Sequence, residues 1–289
     1  MAELSVVVGV DDSPGAEAAL RWALADAAAR RAPLRVVHAY RWHYTYDRIP
    51  MAGRPAADDL QRTAESADQL VRVLVDRCRE SDAEVPVVGA AVAGRPPVVL
   101  LAESDSAAVL VLGSRHLKAI GAEVFGSVSA AVAARARCPT VVVRGPGGLP
   151  AEQAAVVVGV DGSRAAEPLL RFGFDHARRH RTPLRAVLCW HPDLLATMQW
   201  RPEPPPPEQA ERWLGESLAG WQADYPDVPV HPEVLREHTV DGLIDASLTA
   251  RLLVVGNRGR HPGGGTLLGS TSQAVLHHAG CPVAIVPVG

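Results

Sequence analysis

The residues best suited to chemistry are glycines, a serine and arginines gathered late in the chain. Gly256-Asn257-Arg258-Gly259 is followed by nine residues, RHPGGGTLL, and then by Gly269-Ser270. Glycines let a backbone approach a ligand closely and turn its N–H groups inward, which makes an anion nest. Ser270 supplies a hydroxyl where a helix is expected to begin, and the unpaired N–H groups and dipole of a helix N-terminus favour phosphate. Arg258, Arg260 and His261 add positive charge at the mouth. Nucleotide phosphates are what this loop suits. Asp161, at the end of an earlier apolar run, is expected across the mouth, near the nucleoside end.

A second version of the loop lies upstream. Gly113-Ser114-Arg115-His116 precedes nine residues, LKAIGAEVF, and then Gly126-Ser127. His116 stands where the second glycine should be, so a β-carbon restricts positive φ and an imidazole crowds the ligand. Glu123 repels phosphate if it faces inward, and Lys118, the only lysine in the chain, partly offsets that charge. The upstream loop is the weaker site.

Other chemistries lack their motifs. The sequence has no GxxxxGK[ST], and GGGTLLG does not fit the dinucleotide fingerprint GxGxxG. It also has no HExxH, GxSxG or paired-carboxylate constellation. The four cysteines, Cys78, Cys138, Cys189 and Cys281, show no metal-ligand spacing and read as reduced, mostly buried thiols. The eleven histidines read as scattered, and His277-His278 as complementing the dipole at a helix C-terminus.

The elements that must position the loops form an internal repeat. VVVGVDDS (6–13) recurs as VVVGVDGS (156–163), an offset of 150 from Gly9 to Gly159. VLVLGSR (109–115) matches LLVVGNR (252–258), and Cys138-Pro139 matches Cys281-Pro282, at an offset of 143. A net indel of seven residues must then lie between, across 41–97 and 191–240. Short β-branched apolar runs alternate with amphipathic segments, which predicts parallel strands buried on both faces and covered by helices. Ser13 should cap a first helix opened by Pro14, with Ala19, Leu20, Ala23, Leu24 and Ala27 on its apolar face and Pro33 ending it. In the first copy, strands are expected at 5–10, 34–40, 85–92, 108–113 and 140–144, with helices at 57–80, 97–105 and 127–137. The second copy should place strands near 155–160, 184–190, 229–235, 251–256 and 282–287. The expected fold is α/β: two tandem open-sheet domains, 1–145 and 154–289, each a five-stranded parallel sheet in the order 3-2-1-4-5. A short glycine- and proline-rich junction, GPGGLPAEQ, joins them.

Composition fits this picture. Of 289 residues, 47% are hydrophobic and 21% charged, enough to build a core. A net charge of -3 gives no general pull toward nucleic acid or an anionic membrane. No apolar run approaches the ~20 residues of a membrane span, and nothing reads as a secretion signal. A cytoplasmic protein is expected. The proline-rich stretch 197–209 reads as a stiff spacer. Trp42, His43, Tyr44 and Tyr46, and Trp190 with Trp200, read as loop packing or a subunit contact rather than base stacking.

The pattern Gly-x2-Gly-x9-Gly-Ser after a strand and before a helix, with a VGVDGS-like first strand, closely resembles the universal stress protein family, here of a tandem-domain type. The resemblance implies an ATP site with a divalent ion, Mg2+, on the phosphates. The second copy then offers Gly159, Val160, Asp161, Cys189, Val255, Gly256, Arg258, Gly259, Gly269, Ser270 and Thr271. The first offers Gly9, Val10, Asp11, Ala39, Leu112, Gly113, Arg115, Gly126, Ser127 and Val128. The resemblance also implies pairing of the domains through their last strands, 139–144 and 282–288, and leaves room for a homodimer. Three functions compete: a non-catalytic nucleotide-dependent stress-response protein, a slow ATPase or phosphotransferase, and a nucleotide-independent scaffold. The first is favoured, because no base is placed for a γ-phosphate and no segment shapes an acceptor site.

Overall fold

A computed structural model describes residues 4–41, 57–114, 117–119, 122–124, 126–144, 154–163, 166–190, 207–258 and 268–288. The first half runs β1 (Ser5–Val10), α1 (Pro14–Arg30), β2 (Leu34–Tyr40), α2 (Ala57–Ser81), β3 (Val87–Ala93), α3 (Pro96–Glu103) and β4 (Ala107–Gly113). A small hairpin follows, β5 (Leu117–Ala119) and β6 (Ala122–Val124), then α4 (Ser127–Ala133) and β7 (Thr140–Val143). The second half runs β8 (Val156–Val160), α5 (Glu167–His180), β9 (Leu184–Cys189), α6 (Pro207–Asp224) and β10 (Val230–Leu235). It closes with α7 (Thr239–Ser247), β11 (Leu252–Gly256), α8 (Ser270–His278) and β12 (Val283–Val286).

The strands pair in the order β10-β9-β8-β11-β12-β7-β4-β1-β2-β3, one ten-stranded sheet. Each half is parallel within itself and follows the expected order 3-2-1-4-5. The halves meet where β12 runs antiparallel to β7, with Val283 opposite Val142 and Ile285 opposite Thr140. Pro287, which has no N–H to donate, lies beyond this ladder. The double-sided apolar strands are explained by helices on both faces. A core beneath α1, α2, α5 and α6 is continuous across the two halves. On the opposite face, α3 and the α7–α8 pair cover separate cores.

Local details refine the expectations. Ser13 caps α1, its Oγ accepting from the Ala16 N–H at 3.4 Å, with Pro14 in the first turn. The helix ends not at Pro33 but at Arg31, left-handed at φ 55, whose N–H is given to the Ala27 and Ala28 carbonyls. Arg181 closes α5 in the same way at φ 52. Helix α4 stops at Ala133, short of the expected 137. Pro139 disfavours helical backbone at Cys138, and the Arg137 N–H turns to the Ser104 hydroxyl at 3.2 Å.

Candidate functional site

In a doubly wound sheet, ligands bind beyond the carboxyl ends of the strands where the order reverses. Here that point lies between β1 and β4, and between β8 and β11. The predicted residues that are described collect there, but they divide into groups that line the opening and groups that pack beneath it.

Val10, Val160, Leu112 and Val255 are buried in the core, so only their backbone faces the opening. Gly9 and Gly159 are packing glycines. A β-carbon on Gly9 would reach within 2.8 Å of both Leu100 and Leu112, and one on Gly159 would meet Leu243 at 3.1 Å. Ala39 packs against the core beneath α3. Cys189 turns its thiol toward the Thr239 carbonyl at 3.9 Å. Burial, with Glu237 and Glu233 nearby, pushes that thiol up to about 12, so it stays protonated at neutral pH. All four cysteines are free thiols.

The two aspartates organise the turn that leaves the first strand. Asp11 Oδ1 accepts from the Ser13 N–H at 3.1 Å and from the Ser13 hydroxyl. Asp161 Oδ1 accepts from the Ser163 N–H at 2.9 Å. One oxygen of each carboxylate therefore shapes the loop.

The decisive contacts surround the fourth-strand glycines. Asn257, 8% exposed, ties three segments together. Its N–H is given to the Val286 carbonyl and its own carbonyl accepts from the Gly269 N–H, both at 2.9 Å. Its Oδ1 accepts from the Val288 N–H at 3.0 Å. The Ser272 hydroxyl adds a bond to the Gly256 carbonyl at 2.5 Å. The two ends of the glycine loop are thus held side by side, with the start of α8 opening beside Gly256. Gly269 is the N-cap and gives no side-chain cap, Ser270 is exposed, and Arg258 is exposed. Such a helix start presents unpaired N–H groups to an anion.

The first half keeps the frame with different side chains. Ser129 bonds the Gly113 carbonyl at 3.2 Å, as Ser272 does Gly256. Ser114 replaces Asn257 and gives its N–H to the Val143 carbonyl at 2.9 Å in the same way, but its buried Oγ has no hydrogen-bond partner. A β-carbon on Gly113 would collide with the backbone of Gly15, so the start of α1 lies against the strand end. Among the described residues the nearest obstacle at Gly256 is the Arg258 carbonyl at 2.9 Å, in its own loop; residues 164–165, the counterparts of Pro14-Gly15, lie outside the described residues. The Val10 carbonyl is already engaged by His38 Nδ1 at 2.8 Å, whereas Leu188 holds the corresponding place in the second half. Gly126 opens α4 without a side-chain cap, Ser127 is exposed, and Val128 packs against the α3 core. The β5–β6 register sets Lys118 opposite Glu123.

Arg115, His116, Gly259, Arg260, His261, Trp42, His43, Tyr44, Tyr46 and Trp200 lie outside the described residues, as does most of the proline-rich stretch. Sequence reasoning missed Asn257, Ser272 and Ser129. The repeat itself carried a signal for the serines, which recur at the offset of 143.

An open-sheet α/β protein with a glycine-rich segment and a helix start at the fourth-strand switch point is the class that fold and site define. The Universal stress protein family model matches the chain twice, over residues 4–144 and 154–287. Universal stress protein Rv2005c of Mycobacterium tuberculosis (strain ATCC 25618 / H37Rv) is 35% identical over 286 residues, covering 97% of this chain and 96% of that protein. Universal stress protein Rv2623 of the same strain is 32% identical over 296 residues, covering 98% and 96%. A crystal structure of a universal stress protein from Archaeoglobus fulgidus DSM 4304 shares the fold, with a TM-score of 0.75 at 17% identity over the whole of both chains. The chain belongs to the universal stress protein family.

Proposed function

We propose that the second half binds ATP, with Mg2+ on its phosphates, and that occupancy biases conformation or partner choice rather than driving turnover. The observation that carries this reading is the Asn257 staple, which holds Gly256 beside the uncapped start of α8. Phosphates would take the N–H groups of Ser270 and Thr271 and the charge of Arg258, with Gly259 completing the loop. The nucleoside would lie toward Asp161 and the ends of β8 and β9. The divalent ion would neutralise phosphate charge and draws on no protein ligand in this reading.

The first half, proposed as the domain 1–145 beside 154–289, reads as an interaction scaffold. Its fourth-strand glycine is packed against Gly15, and the Val10 carbonyl is already engaged. A cytoplasmic protein fits this role, and among the described residues no helix is long and apolar enough to cross a membrane. Equilibrium dialysis with ATP and Mg2+ tests the proposal. Uptake of one nucleotide per chain is expected; none at millimolar ATP overturns it.

A further inference from the structure

Helices α1 and α5 touch each other above the junction of β7 and β12. They occupy the same place in their respective halves, at the offset of 150, so position 22 corresponds to 172, 26 to 176 and 30 to 180. The first half carries Trp22, Asp26 and Arg30 there; the second carries Phe172, His176 and His180. Among the described residues these are the groups that meet. Asp26 and His176 are each 1% exposed, at the centre of the molecule.

Across the two helices the side chains that meet are unlike, while within the second half the His176 and His180 rings lie 4.2 Å apart. Asp26 Oδ2 accepts from Arg30 Nε at 2.5 Å. Asp26 Oδ1 stands 3.4 Å from His176 Nδ1 and 3.5 Å from His180 Nε2. The His176 ring stacks on Trp22 at 5.7 Å and 3°, and on Phe172 at 6.2 Å. Arg251, which enters β11, places Nη2 3.1 Å from His180 Nδ1. A guanidinium only donates, so that ring nitrogen accepts and Nε2 carries the proton toward Asp26.

We propose that these helix faces form a pairing lock, which accepts the unlike half of this chain and rejects a like half. The junction has pseudo-twofold symmetry, so in a pairing of like halves position 26 meets its own copy and also position 30 of the other half. Two first halves would bury Asp26 against Asp26. Two second halves would bury His176 and His180 against their own copies with no carboxylate to receive a proton. Burying one carboxylate against another, or buried ring nitrogens with no acceptor, is costly, and such mismatches are a recurrent way to exclude a wrong partner. The divergence of the two copies at 26/176 and 30/180 makes a self-complementary surface into a pair of complementary ones. The lock does not depend on nucleotide.

A metal ion is the competing use of the same residues, since ligand atoms of Asp26, His176 and His180 lie within 4.8 Å of one another. Two guanidiniums argue against it. Arg30 already holds the carboxylate, and Arg251 occupies the ring nitrogen whose proton a metal-bound His180 would need. Arg179, on the same helix as His176, adds charge to the site.

The test uses the full chain, with calorimetry and solution mass. Asp26→His and His176→Asp each create a like pair and should lower the melting temperature by roughly 5 °C or more. The single transition should split as the halves uncouple. Exchanging all four residues (Asp26→His, Arg30→His, His176→Asp, His180→Arg) should recover more than half of that loss. An exchange no better than the summed singles, or singles that melt like the parent, would overturn the lock. Should either single fail to fold, Asp26→Asn and His176→Gln replace them. Shifts that fall short of additive support the lock, and additive shifts refute it. A melting temperature raised by Zn2+ and dependent on His176 and His180 would replace the lock with a cation site.

Discussion

His176 is a buried imidazole, and its titration should govern how the molecule responds to acid. Burial pushes it down to about 4, against the pull of Asp26, so it is neutral when folded near pH 7. An unfolded chain binds a proton there near pH 6.5, and the folded chain refuses it until about 4. Stability should therefore be full above about pH 6.5 and fall as the pH drops toward 4, by at most ~3 kcal/mol from this group. Asp26 adds to the loss at lower pH. Burial pushes its carboxyl up, but His176, His180 and Arg30 outweigh that and hold it well below the usual range. Urea unfolding at stepped pH checks this: His176→Gln should flatten the slope between pH 6.5 and 4. A slope unchanged by the substitution would assign the acid response elsewhere.

At the scale of elements, both first helices end on an arginine in the left-handed region, at φ 55 and 52. A β-carbon is unfavourable there and glycine is not. Arg31→Gly and Arg181→Gly should each raise unfolding free energy by ~0.5–1 kcal/mol in denaturant titration. A loss would mean the arginine side chains contribute more than the backbone conformation costs. Asn257 binds β11, α8 and the tail of β12, using a side-chain oxygen in a buried position. Asn257→Ala leaves the Val288 N–H without its acceptor and should cost ~1–2 kcal/mol. It should also weaken ATP binding, which calorimetry reads separately from stability. Asn257→Ala that binds ATP as the parent does would separate the staple from the site.

Across the whole molecule, the parallel sheet and its helical cover were readable because apolar runs of β-branched residues alternate with capped amphipathic segments, twice, whereas alternation alone does not set the strand order. The strand LRVVHAY was placed to the residue, as β2. Local chemistry was harder to read. Gly9 and Gly159 look like ligand glycines in sequence, yet they make room for Leu100 and Leu243, a distinction set by packing from distant residues. Asp11 and Asp161 look like ligand carboxylates, yet each gives an oxygen to its own turn. The Asp26–His176 contact spans 150 positions and exists only because the halves dock, so no window of sequence contains it. Its traces were the H-x3-H spacing of 176 and 180 and the unlike residues at matched repeat positions.

The asymmetry between the halves is most directly tested by one pair of substitutions read by titration calorimetry with ATP and Mg2+. Ser270→Asp and Ser127→Asp each place a carboxylate in the first turn of the corresponding helix, where it favours the helix dipole and should not harm folding. The same charge should repel a phosphate. One ATP per chain is predicted, abolished or weakened at least tenfold by Ser270→Asp and unchanged by Ser127→Asp. Binding that survives Ser270→Asp, or is lost only with Ser127→Asp, would contradict a nucleotide site in the second half.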